Sequence, residues 1–298
     1  IFGVHFPHFL FNRFGSVMMP AWTHPTALER GMHRAGPVIQ GFWMGLQTLF
    51  RTLARRQGGG YGEAGTRRLS KVLPSHPLLP DLRSAAALVP PDYYRLVGSG
   101  AIEPYQAEIA SFTKEAVRLS TGETLPADIV VLATGSLSPS FPFLSQEHRA
   151  LLESEPDGVQ LYRHIVHPRL PNLAFAGYNH GFLHWPAAEV GALWIAALWR
   201  GELSLPPVAE MEAAVDHIRT WKRAHIQFEP SRSCAVNTRY QQYLDILLQD
   251  LGLSPYRKLP NVLAEIFVRY GASDYAGVVE EYLKSPPREA RRPVALPT

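Results

Sequence analysis

The sequence predicts an α/β fold with a helical carboxyl-terminal region, and three observations carry that expectation. The first is Asp128-Ile129-Val130-Val131-Leu132-Ala133-Thr134-Gly135, four large apolar residues in a row between an acidic residue and a small-residue stop. A short unbroken apolar run is the pattern of a strand covered on both faces, as in a parallel sheet. Small residues at its end let a backbone or a planar ligand come close. The second is Leu173-Ala174-Phe175-Ala176-Gly177, a buried-strand pattern that also ends in glycine and is followed by a long helical stretch over 186–199. Ligands of open α/β sheets bind just beyond the carboxyl ends of the strands, so both ends are expected to line one crevice. The third is the change of periodicity over the last hundred residues, where apolar residues recur at helical spacing.

Taken from the amino terminus, residues 1–30 are aromatic and punctuated by proline (Phe2, Phe6, Phe9, Phe11, Phe14, Trp22), the composition of an irregular cover over a core or pocket. Residues 37–54 place Ile39, Phe42, Trp43, Leu46, Leu49, Phe50 and Leu53 at helical spacing, with Arg51, Arg55 and Arg56 at the carboxyl end, where cations complement the helix dipole. This reads as a buried core helix, with a membrane-surface helix as the alternative. Gly60, Gly62 and Gly65 spell G-x-G-x-x-G. A basic helix end precedes them instead of a strand, so the stretch reads as a flexible loop and not as a dinucleotide fingerprint. Residues 69–91 are Pro-rich and loop-like. Short strands are expected at 101–103, 107–112 and 116–119, with a turn at 120–123. A helical piece at 146–154 and a strand over 160–168 follow. The helix from Pro186 carries proline in its first turn and Gly201 at its stop. Further helices are expected at 210–226, 240–251, 262–270 and 275–283, and 285–298 reads as a disordered tail.

Composition narrows the function classes. The 298 residues suffice for one large or two ordinary domains. The single cysteine, Cys234, excludes a disulfide framework and fits a reducing, cytoplasmic compartment, with weak membrane association left as an option. One cysteine with scattered histidines builds no metal site, so none is expected. Residues 1–100 carry eleven Lys/Arg against four Asp/Glu, a net of +7, which leaves −4 for the rest of a chain whose total is +3. A basic first third suits a phosphate-bearing cofactor, a nucleic acid or a membrane surface, or is ordinary surface charge. No signal peptide is visible, and the longest uncharged apolar stretches, 35–50 and 183–199, fall short of a span or contain Glu189. The start at Ile1 instead of Met raises the expectation of a fragment.

The run ending in Gly177 feeds a Pro-initiated helix whose amino terminus offers free N–H groups and a partial positive charge. Such an end suits an electron-rich ring carbonyl or an anionic reduced flavin. Around this pair lie ordered blocks: Pro90-x-Asp92-Tyr93-Tyr94 and Ser99-Gly100-x-Ile102; then Val117-x-Leu119-x-x-Gly122-x-x-Leu125-x-Ala127-Asp128-x-Val130-Val131-x-Ala133-Thr134-Gly135. Next come His167-Pro168-x-Leu170-Pro171-Asn172-Leu173-Ala174-Phe175-x-Gly177, and Pro186-x-x-Glu189 with Trp194, Leu205 and Pro206. Tyr243-Leu244-Asp245 with Gly252 and Pro255 closes the series. In content and order, from about Pro90 onward, the chain resembles the flavin-containing monooxygenases, including their Baeyer–Villiger relatives.

That resemblance implies part of a Rossmann-like flavoprotein fold with two dinucleotide-binding domains. Residues 1–127 would be the remainder of the NADP-binding domain with a helical and loop insertion. Residues 128–205 would link and return to the FAD-binding domain, 206–284 would form the carboxyl-terminal helical region and 285–298 the tail. It implies FAD and NADPH as cofactors, a small organic substrate and O2 as reactants, and no nucleic-acid partner. One oxygen would pass by way of a flavin hydroperoxide to nitrogen, sulfur or a ketone. Cofactor contacts are expected from Ala133, Thr134, Gly135, Gly177, Asn179, Pro186 and Glu189. No catalytic residue is assigned, because the cofactor carries the chemistry; His180 and His184 are candidates for flavin or substrate contact or for a structural role. The family's two glycine fingerprints would lie before Ile1, so 1–298 alone is expected to bind FAD poorly and to be inactive. Gly191 and Leu193 stand where many relatives carry Gln and Arg. The alternatives are a related flavin-dependent amine hydroxylase, and an inactive or truncated flavoprotein acting as an interaction module.

Overall fold

Side chains that satisfy free backbone N–H groups open the first helices. Asn12 takes the N–H of Gly15 at 2.6 Å to start α1 (Arg13–Val17), and Thr26 takes that of Glu29 at 3.1 Å to start α2 (Ala27–Arg34). The structure, a computed structural model, describes residues 11–19, 21–23, 26–75, 77–80, 90–135, 137–181, 183–237, 239–284 and 289–296. Phe2, Phe6 and Phe9, residues 81–89 of the Pro-rich stretch and 285–288 of the tail lie outside them.

α3 (Gly36–Gly58) covers the predicted helix and continues, through a single 3-10 turn at Gly59–Tyr61, into α4 (Gly62–Val72). α3 is not the buried core helix expected: Trp43 and Ala54 are buried, but Val38, Phe42, Met44 and Leu53 are exposed. The glycine-rich stretch is helical where a flexible loop was expected, and Gly58 and Gly65 in it serve helix contact. A Cβ on Gly58 would lie 2.6 Å from the carbonyl oxygen of Tyr94, and one on Gly65 3.0 Å from that of Gly98. α4 therefore meets α5 (Tyr93–Ser99) backbone to backbone. A helix, not a strand, precedes the G-x-G-x-x-G, the context that a dinucleotide fingerprint lacks.

β1 (Ile109–Phe112), β2 (Ala116–Leu119) and β3 (Thr124–Pro126) form an antiparallel meander with Val117 and Leu119 buried. Residues 101–103 are not a strand; the Arg68–Glu103 ion pair and the Lys71 ammonium on the Pro104 carbonyl (3.1 Å) tie this stretch to α4. The largest departure is 128–135. It forms no strand and has no ladder partner among the described residues, and Ile129, Val131 and Leu132 are 83%, 82% and 64% exposed. A strand buried on both faces requires hydrogen-bonded neighbours and covering layers. An apolar run identifies a candidate for that place but cannot create it.

α6 (Gln146–Leu152) opens on Ser145, whose hydroxyl takes the His148 N–H at 3.3 Å. β4 (Val166–His167) and β5 (Leu170–Ala174) make an antiparallel hairpin in place of the long strand expected over 160–168. β5 is half exposed, so the second run is not a buried strand either. β6 (His180–Gly181) pairs in parallel with β7 (Ala235–Asn237). Between them run α7 (His184–Trp199), ended by Gly201 at φ +75°, and α8 (Val208–His225). α9 (Tyr240–Asp250), α10 (Val262–Phe267), a 3-10 turn at Ala272–Tyr275 and α11 (Val278–Lys284) follow, the later ones shorter than expected.

α9 organises its surroundings. Nine of its eleven residues are buried, so its polar side chains must find partners inside. Asp250 accepts from Arg163 (2.9 and 3.1 Å), from Trp194 Nε1 of α7 (3.0 Å) and from the Val294 N–H (2.8 Å). Asp245 pairs with Arg13 at 2.6 Å. The tail is ordered over 289–296 where disorder was expected: Ser204 N–H donates to the Arg291 carbonyl (2.8 Å) and Arg291 N–H to that of Glu202 (2.9 Å). Backbone pairing holds this strap, and composition carries no trace of it.

The chain is thus mixed α/β, and it divides into two compact units. One is Gly41–Leu78 with Ala87–Ser136; the other is Ile1–Gln40 with Leu79–Ala86 and Leu137–Thr298. These divisions cut across the boundaries expected at 127, 205 and 284.

Candidate functional site

Gly177 sits between β5 and β6 at φ +78°, a conformation that costs glycine little and other residues more. A Cβ there would lie 3.2 Å from the Ala188 Cβ and 3.4 Å from the His184 Cε1. Glycine is therefore required by the turn and by its closeness to the first turns of α7, whether or not a ligand approaches. The buried Asn179 completes the contact, its carbonyl bonding the His184 ring at Nδ1 (2.7 Å). Its own Oδ1 is buried without a partner among the described residues. Leu183 supplies no side-chain cap to α7, so the first N–H groups keep their donor capacity and the positive end of the dipole.

Three of the expected contact residues, Gly177, Asn179 and Pro186, therefore gather at one place, the start of α7. Glu189 lies one turn further along and is exposed. Ala133, Thr134 and Gly135 belong to the other compact unit and are exposed; Gly135 has φ +83° with open space around a would-be Cβ. His184 holds the Gly177 turn through its ring, while His180 is exposed on β6. Trp185 is exposed beside the His184 ring, with centroids 5.9 Å apart.

The residues that brace this turn were not legible in sequence. The Tyr178 hydroxyl donates to or accepts from Ser233 Oγ (3.1 Å) and takes the Val159 N–H (2.9 Å), joining positions up to 55 apart. Tyr178 also packs with Phe175 against Leu152, Val159 and Leu161. Below Ser233, the buried Lys222 donates to its carbonyl at 2.5 Å and stands 4.9 Å from the Trp22 ring centroid. Burial pushes the Lys222 ammonium down to about 7, against the pull of Cys234 and Asp157. Burial raises the Cys234 thiol, which keeps it protonated and unreactive. At Asp157 burial opposes the charge, but Arg223 and Arg232 outweigh it and bring the carboxyl down to about 2. No group of three or more His, Cys, Asp or Glu among the described residues is placed to hold a metal. Six of the eleven basic residues of the first third lie on α3 and α4, where Arg51 and Arg55 edge a groove of about 560 Å3.

Residues 94–265 match the model of the flavin-binding monooxygenase-like family. The chain belongs to that family. The matched span runs from α5 to α10 and takes in the Gly177 turn, Asn179 and the start of α7. The chain is 29% identical over 213 residues to the Arabidopsis thaliana protein named "Probable flavin-containing monooxygenase 1", covering 68% of this chain and 38% of that protein. It is 28% identical over 241 residues to the FAD-dependent monooxygenase DEP4 of Alternaria brassicicola, covering 64% and 41%. Human flavin-containing monooxygenase 2 is 33% identical over 132 residues, covering 43% and 23%. The chain thus spans about two fifths of the length of the first two family members. Among the described residues no helix is long and apolar enough to cross a membrane.

Proposed function

We propose that the protein works as an FAD- and NADPH-dependent monooxygenase, which places one oxygen atom of O2 on the nitrogen, sulfur or ketone group of a small organic molecule. The observation that carries this reading is the junction of Gly177, Asn179 and α7 inside the matched family span. Its parts fit a flavin. An uncapped helix start favours an electron-rich ring edge, the orphaned Asn179 Oδ1 accepts a ring or ribityl donor, and the glycine turn keeps bulk away from the helix end. FAD, when bound, supplies the oxygen-activating redox chemistry. This chain's part is to bind and orient: Gly177, Asn179 and Pro186 hold the cofactor edge, and His184 fixes the turn.

The finer fold reading belongs with it. An apolar run whose side chains are more than four-fifths exposed at Ile129 and Val131 is what a central strand looks like without neighbours. In the working protein, 128–132 is the strand that pairs with others of a dinucleotide-binding sheet. The full-length protein tests both. Purified, it should carry a flavin absorbance band and consume NADPH and O2 with formation of an oxygenated product. A full-length protein without flavin, and without NADPH oxidation when FAD is added, would reverse the reading in favour of an interaction module.

A further inference from the structure

Within the unit made of Gly41–Leu78 and Ala87–Ser136, α3 and α4 together wall the groove of about 560 Å3. The geometry points to a binding site for an organic phosphate monoester in this groove, its phosphate group held by Arg51 and Arg55.

Helical spacing builds the walls. Arg51 and Arg55 stand one turn apart on α3, and Thr66 and Ser70 one turn apart on α4. Leu69, Leu73 and Pro74 add apolar surface to the same walls. Gly59, at the turn between the helices, also lines the groove, and open space surrounds a would-be Cβ there, so a ligand can reach the backbone. Arg51 is anchored, because its Nη2 donates to the Pro74 carbonyl (2.6 Å). That bond holds the guanidinium against the segment that follows α4.

Charge selects an anion. Residues 41–78 carry six Lys/Arg against one acid, Glu63. No Asp or Glu is among the groove's described lining residues, and α3 contains neither. The cations of α4 are engaged elsewhere. Arg67 lies 4.0 Å from Glu63, Arg68 pairs with Glu103, and Lys71 donates to the Pro104 carbonyl (3.1 Å) and stands 5.4 Å from the Tyr105 ring centroid. Arg55 is exposed and has no hydrogen-bond or ion-pair partner among the described residues. Like charges one turn apart destabilise a helix, and a shared anion removes that repulsion. Two planar forks of N–H donors suit a phosphate dianion better than a singly charged carboxylate. The Thr66 and Ser70 hydroxyls donate to the carbonyls of Gly62 (3.1 Å) and Arg67 (2.8 Å), and a hydroxyl can turn its proton to a phosphate oxygen instead. The apolar part of the walls and a volume in the range of small-molecule sites favour an ester over bare phosphate. The site stands apart from the flavin reading, since none of its residues belongs to the Gly177 junction.

The test is titration calorimetry on the full-length protein, with FAD and NADP+ at saturation so that dinucleotide sites cannot account for the heat. Phenyl phosphate is the soluble probe, and vesicles of phosphatidylcholine with phosphatidic acid present the same group as a lipid headgroup. Phenyl phosphate should fill one saturable site more tightly than inorganic phosphate does, and Arg55→Gln should weaken it about tenfold. Arg56→Gln, one residue along and outside the groove, should change it less than about twofold. Ser70→Glu, which sets a carboxylate among the groove's arginines, should abolish binding. Vesicle binding that is also lost in Arg55→Gln assigns the phosphate to a lipid; vesicle binding indifferent to Arg55, beside an intact phenyl phosphate site, assigns it to a soluble metabolite. No saturable binding of either probe, or equal losses in Arg55→Gln and Arg56→Gln, overturns the proposal. Arg55 is exposed, so its replacement should leave the urea unfolding midpoint unchanged, and Ser70→Glu repeats the test from the other wall.

Discussion

The imidazole of His184 bonds the carbonyl of Asn179 across 2.7 Å, and this contact folds the turn at Gly177 onto the first residues of α7. A helix start and a strand-end glycine are common separately. Joined by one ring, they present a bare backbone and an uncapped helix end to the same space, which is where the proposed flavin edge sits.

Gly177→Val is expected to act twice. The β-branched side chain must adopt φ +78° and push against Ala188 and His184, at a cost of roughly 1–3 kcal/mol. It also narrows the space before α7. In the full-length protein, flavin per folded molecule should fall further than the unfolding midpoint does. Full flavin occupancy with unchanged NADPH oxidation would remove Gly177 from the site.

Arg163 and Asp250 are both buried, so Arg163→Met leaves a carboxylate with Trp194 and a backbone N–H but no counter-charge. Breaking such a pair costs about 3–5 kcal/mol. The exposed Arg169–Glu212 pair makes the control, worth about 0–1 kcal/mol when Arg169 is replaced by Met. Urea unfolding of the two variants should differ by that margin; equal midpoints would show that Asp250 relaxes to water.

Asp157 predicts an acid limb. Its folded carboxyl is depressed to about 2 from an ordinary 3.8 by Arg223 and Arg232, which overcome burial. The stability this contributes is present above pH 3.8 and lost as pH falls toward 2, about 2 kcal/mol by linkage. Asp157→Asn should flatten the stability profile across that window. A profile as steep as that of the unaltered protein would assign the acid limb to other carboxylates.

Lys222 predicts the opposite limb. Burial holds its folded value down to about 7, while the unfolded side chain titrates near 10.5. Between those values the unfolded chain binds the extra proton, so this group's contribution to stability rises as pH climbs from 7 toward 10.5. Below 7 its penalty is constant. Lys222→Met keeps the contact with Trp22 and should abolish the alkaline rise, read as the slope of unfolding free energy against pH. An unchanged slope would mean that the ammonium stays charged beneath the Trp22 ring.

The sequence by itself determined the local pieces. Periodicity located the helices over α3, α8 and α9, because apolar residues that share a helix face recur every 3.6 residues whatever the partner is, and Pro186 and Gly201 bracketed α7. Gly201 and Gly252 marked helix ends because the φ there is positive. The glycine at 177 and the proline at 186 marked the start of α7 as a candidate site, and the ordered blocks marked the family. Tertiary structure decided what those pieces do. It made Gly58 and Gly65 of the glycine-rich stretch a helix contact, tied Tyr178 to Ser233, and buried Lys222 under Trp22. It ordered the tail through backbone bonds to 202–204 and left 128–132 exposed. The physical reason is the same each time. A pattern along the chain records which side chains avoid water, but burial, pairing and pKa belong to neighbours brought from far away in sequence, and a strand without neighbours remains an apolar run in water.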